Sequence, residues 1–79
     1  MKLSTAVALR VSKLLSLKGM TRYKLCRKIA ISETTLKHIL DEDYKGVNFD
    51  TLILLADGFD MSVQEFINDD LFKRSNLDV

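Results

Sequence analysis

The chain has 79 residues, 47% hydrophobic and 29% charged, with no proline, three glycines and one cysteine. That is the length of one domain, and the composition excludes collagen-like, linker-type and wholly disordered chains and argues against a turn-rich β fold. Cys26 alone excludes an internal disulfide and a cysteine-based zinc site, and no apolar run reaches the roughly 18 residues of a membrane span.

The net charge of +1 hides a division. Residues 1–40 carry nine basic side chains against Glu33, a net of +8, and residues 41–79 carry three against ten acids, a net of −7. A basic half of this kind suits a polyanionic partner, or else the two halves attract each other. Met1 to Thr5 opens an amphipathic stretch without a secretory cleavage pattern, and the expected location is the cytoplasm.

The fold class is all-α, with helices expected over 4–18, 22–29, 33–41, 49–58 and 63–69. Val7, Val11, Leu14 and Leu15 recur at helical spacing, and Gly19 stands where a left-handed cap is needed. Leu25, Cys26 and Ile29 share a face of the second helix, and Leu36, Ile39 and Leu40 a face of the third. Asp41 to Gly46 reads as a loop. Leu52, Leu55 and Ala56 point inward from the fourth helix, and Phe66 and Ile67 from the fifth. Residues 1–72 are expected to form the domain and 73–79 a flexible tail.

One device recurs at four helix starts. A hydrophobic residue precedes a capping residue, and a second hydrophobic residue follows four positions after the cap. The sets are Met20-Thr21 with Leu25, Ile31-Ser32 with Leu36, Val47-Asn48 with Leu52, and Met61-Ser62 with Phe66. This is the hydrophobic staple, and Glu65 adds a capping box to the last.

The stretch from Thr21 to Leu40 is the informative one. Two short capped helices a few residues apart form a helix-turn-helix, and the second splits by side. Glu33, Thr34, Lys37 and His38 fall on the arc opposite Leu36, Ile39 and Leu40. Such a helix presents its outer residues to base edges in the major groove.

From Val7 to Ile67 the chain resembles the Cro and lambda-repressor type of helix-turn-helix domain, also called the xenobiotic-response-element family. The residues that carry the resemblance are Thr21, Leu25, Ser32 and Leu36, then Thr51-Leu52 with Leu55-Ala56, then Ser62 with Glu65-Phe66-Ile67. The resemblance implies a compact five-helix domain that binds double-stranded operator DNA as a homodimer. Arg22 replaces the family's glutamine, Ala30 the turn glycine, Cys26 a small alanine, and Asp60 the glycine before the fifth helix. Leu15 and Leu40 stand where the family has a buried Arg–Glu pair; changing both partners to apolar strands no charge.

On that resemblance Glu33, Thr34, Lys37 and His38 are the base-reading candidates: Glu accepts from cytosine N4, Lys donates to guanine, and Thr meets a thymine methyl. Thr21, Arg22, Lys24, Thr35, Tyr44, Lys45 and Asn48 are the backbone candidates. Lys24 opposes the helix dipole at a position where Glu would complete a cap, a local choice against stability. Cys26 is read as a small core residue. Leu54, Phe59, Leu71 and Phe72 are expected to form an exposed dimer patch.

The leading reading is a sequence-specific transcriptional regulator, a repressor acting by occupying its operator. The alternative is a protein-interaction module, such as an antitoxin or accessory protein, whose acidic half holds a protein partner. Asp41, Glu42 and Asp43 beside the third helix favour that alternative by repelling phosphate. An enzyme is not expected, for want of a paired carboxylate, a nucleophile with its base or a phosphate-cradling loop. No cofactor, metal or membrane association is expected either.

Overall fold

The computed structural model describes residues 1–41 and 47–79. Five α-helices follow one another: α1 (Leu3–Leu17), α2 (Arg22–Ile29), α3 (Glu33–Leu40), α4 (Phe49–Gly58) and α5 (Val63–Ile67). Two 3₁₀ turns, Asp70–Phe72 and Arg74–Asn76, close the chain. There is no strand among the described residues, and no helix there is long and apolar enough to cross a membrane.

The four expected caps are in place. Thr21, Ser32, Asn48 and Ser62 each accept a side-chain hydrogen bond from the backbone N–H three residues on. Ser62 and Glu65 bond reciprocally in a full capping box. The residues four places after the caps, Leu25, Leu36, Leu52 and Phe66, are all buried, and those before the caps pack against the same core.

Three helices end the same way as well. Gly19, Ala30 and Asp60 are left-handed, at φ +59°, +55° and +56°. The next residue in each case reaches back to the last turn: Met20 N–H to Leu15 O, Ile31 N–H to Cys26 O, Met61 N–H to Ala56 O. This is the Schellman ending. Met20, Ile31 and Met61 therefore finish one helix and staple the next. The α1–α2, α2–α3 and α4–α5 corners are one junction used three times.

The core gathers Val7, Val11 and Leu14 of α1, Leu25, Cys26 and Ile29 of α2, Leu36 and Ile39 of α3, Leu52, Leu55 and Ala56 of α4, Phe59 and Phe66. Helix α1 packs on α3, α2 on α3 and α4, and α4 on α5. Gly58 lets α2 and α4 approach: an added Cβ would collide with Leu25 Cδ1 and lie 3.0 Å from Ile29 Cγ2.

Helix α5 stops at Ile67, two residues short of the expected end, because Asp69 caps the following 3₁₀ turn by accepting from Leu71 N–H. Helix α3 likewise stops at Leu40, with Asp41 as its C-cap. The expected dimer patch does not assemble. Phe59 is fully buried, since the tight α4–α5 corner turns its ring into the core. Phe72 packs against that core with its ring 6.1 Å from Phe66, and Leu71 beside it is half-buried. Only Leu54 stays exposed. In the tail, the Met1 ammonium donates to Asn76 O and pairs with Asp78 at 3.2 Å.

Candidate nucleic-acid interface

The starts of α2 and α3 lie on one side of the molecule, around a shared concavity. On α3, Leu36 and Ile39 are buried and Leu40 is half-buried, while Glu33, Thr34, Lys37 and His38 are all exposed. The four base-reading candidates thus share the outer face of one short helix. Arg22 at the start of α2, with Cys26, faces Glu33, Leu36, Lys37 and Asp41 across an open concavity of about 230 Å³. Thr21 and Lys24 are exposed beside Arg22.

The backbone candidates divide by what their side chains already do. Thr21 Oγ1 caps α2 by accepting from Lys24 N–H at 3.1 Å. Thr35 takes the Ser32 hydroxyl at 2.8 Å inside the α3 cap and is half-buried. Asn48 Oδ1 accepts from both Thr51 N–H and the Thr51 hydroxyl. These three are first of all helix-start residues, whereas Arg22 and Lys24 present charge outward. Tyr44 and Lys45 lie outside the described residues.

Cys26 is 4% exposed, and its thiol donates to Ser32 O at 3.8 Å. Burial, aided by the nearby Glu33 carboxylate, pushes its pKa up, away from the thiolate that redox chemistry requires. It is a small core residue at the floor of the concavity.

The basic half is partly consumed inside the molecule. Arg10 is buried: Nε donates to Phe66 O at 2.7 Å, Nη2 to Glu65 O at 3.1 Å and Nη1 to Asp69 Oδ2 at 3.2 Å. It thereby supplies a donor to Phe66 O at the end of α5 and a second donor to Glu65 O, which also accepts from Asn68 N–H. Lys13 joins Asp69 at 3.0 Å and Lys28 pairs with Asp60 at 2.8 Å. Three of the nine basic side chains of residues 1–40 therefore hold the second half rather than an outside polyanion. The spacing of Arg10 among Val7, Val11 and Leu14 on α1 was the one sequence signal that it turns inward.

Of the other six, Arg22, Lys24, Arg27 and Lys37 are exposed on α2 and α3, and Lys2 and Lys18 are exposed at the two ends of α1. A model of the Cro/C1-type helix-turn-helix DNA-binding domain matches residues 10–71. The chain belongs to that family. Nothing among curated proteins or solved structures matches it. As a Cro/C1-type domain the chain is a DNA-binding module, and its helix-turn-helix is α2 and α3.

Proposed function

We propose that the protein is a sequence-specific transcriptional repressor that inserts α3 into the major groove of an operator. The observation that carries this reading is the division of α3: every outward residue from Glu33 to His38 can donate or accept hydrogen bonds, and the inward ones are apolar. Glu33, Thr34, Lys37 and His38 read base edges in this account. Arg22 and Lys24 meet phosphates, and the hydroxyls of Thr21 and Thr35 and the amide nitrogen of Asn48 add donors at the helix starts. Tyr44 and Lys45 complete the set as backbone contacts.

The reading includes a homodimer. Phe49, Ile53 and Leu54 are exposed on α4 and give a second copy an apolar contact. Three side chains fall well short of the roughly 800 Å² per partner that a stable dimer buries, so the two copies meet on the operator rather than in free solution.

The test is selection of bound duplexes from a randomised pool at low salt, with Arg22→Ala and Lys37→Ala in parallel. The reading expects an enriched palindromic motif. It expects Arg22→Ala to weaken binding evenly across sequences, and Lys37→Ala to relax preference at one position by about 1–3 kcal/mol. An absence of binding at low salt would overturn it in favour of the protein-interaction module.

A further inference from the structure

Two exposed side chains on α2 are locked together without any role in the core. Arg27 Nη1 donates to Tyr23 Oη at 3.1 Å, and its guanidinium carbon lies 5.8 Å from the centre of the Tyr23 ring. Tyr23 is 57% exposed, so the pair stands in solvent. An isolated i,i+4 contact of this kind contributes only about 0.2–0.5 kcal/mol to a helix. What it does achieve is to bias a long cation toward one orientation.

The side of α2 on which the pair stands follows from its neighbours. Leu25 and Ile29 meet Gly58 of α4, and Lys28 meets Asp60 just beyond it, so α4 lies on that flank. Cys26 meets Ser32 O and, with Arg22, lines the concavity shared with α3. At about 100° per residue, Tyr23 and Arg27 lie past Cys26 and away from Lys28. They stand on the α3 flank, Tyr23 next to Arg22 and Arg27 a little over one turn along from it.

We infer that Tyr23 and Arg27 form a phosphate clamp that grips the DNA backbone beside the groove occupied by α3. The tyrosine oxygen accepts from Arg27, so its own proton is available to donate. The other guanidinium nitrogens keep their N–H groups, a planar fork suited to two phosphate oxygens. The ring biases that fork toward the binding orientation, which lowers part of the side-chain entropy lost when the phosphate binds. The inference rests on the DNA-binding reading above and adds one contact to it, a full turn beyond the start of α2.

The test measures binding of the wild-type chain, Tyr23→Phe, Arg27→Gln, Arg27→Lys and the Tyr23→Phe/Arg27→Gln double variant to a labelled random-sequence duplex across a salt series. Circular dichroism checks that each variant is folded at the assay temperature, as exposed positions predict. Arg27→Gln is expected to lower the slope of log K against log salt by about 0.9, one phosphate's worth, and Arg27→Lys to restore it. Tyr23→Phe is expected to weaken binding about 2- to 10-fold with the slope unchanged, the effect of one neutral hydrogen bond. The double variant should lose less than the product of the single losses, because both groups hold one phosphate. Wild-type affinity and slope in Tyr23→Phe and Arg27→Gln would overturn the clamp while leaving the DNA-binding reading intact. A wild-type chain that binds no duplex at low salt would overturn both.

Discussion

Ala30 occupies the turn of the helix-turn-helix at φ +55° and ψ +44°. A left-handed alanine costs roughly 1–2 kcal/mol, part of which glycine would return through its freer unfolded chain. Ala30→Gly is therefore expected to stabilise the protein by about 0.5–1 kcal/mol, a rise of a few degrees in Tm, with DNA binding unchanged. Unchanged or lowered stability in thermal unfolding would show that the turn relieves the strain in some other way. Arg10 is the opposite case. Arg10→Met would take its donor from Phe66 O, leave Glu65 O with the Asn68 N–H and leave Asp69 with Lys13 and the Leu71 N–H. A loss of about 3 kcal/mol in urea unfolding is expected, a large share of what so small a domain possesses. Composition counted Arg10 as one more cation for a polyanion. Only its three partners, more than fifty residues away in sequence, reveal it as a structural residue.

At the scale of the elements, caps and staples are local patterns, and they placed the starts of α2, α3, α4 and α5 to the residue. Endings were harder to read because the usual signal is glycine, and two of the three Schellman corners use Ala30 and Asp60 instead. The shared junction becomes visible only when the backbone bonds of Met20, Ile31 and Met61 are seen together. The inward rings of Phe59 and Phe72 escape the sequence pattern for a related reason. Helical periodicity does not extend past the end of a helix, so nothing local said that a corner and a 3₁₀ turn would direct those rings inward. Gly58 is explained by helix packing rather than by turn geometry. Gly58→Ala is expected to destabilise the domain by about 1–3 kcal/mol in chemical denaturation, since Leu25 is fully buried and has nowhere to retreat.

For the whole molecule, the charge division serves two ends. Asp69 is held below the ordinary carboxylate range by the Leu71 N–H and by Lys13, Asp60 by Lys28, and Glu65 by the Ser62 N–H and hydroxyl. Each of these acids has a lower pKa folded than unfolded. Their contribution to stability is thus fully present above the unfolded values near pH 4 and is lost as pH falls through the folded ones. Unfolding free energy should be flat on this account from neutral pH down to about pH 5 and decline below it; a decline already between pH 7 and 6 would point to other groups. The sequence showed the asymmetry but not which cations cross it. Arg10, Lys13 and Lys28 bind the halves together, while Arg22, Lys24, Arg27 and Lys37 stay on the α2–α3 side.

That separation makes the central claim directly measurable. The most direct measurement is amide NMR of the labelled protein titrated with a duplex from the selected pool. The account predicts shifts concentrated at Thr21 to Arg27 and Ser32 to His38, with further shifts at Tyr44, Lys45 and Asn48, and α5 and the acidic residues from Asp57 to Asp70 unmoved. Shifts centred on α5 and those acidic residues, with α3 silent, would contradict it and make the second half of the chain the working surface.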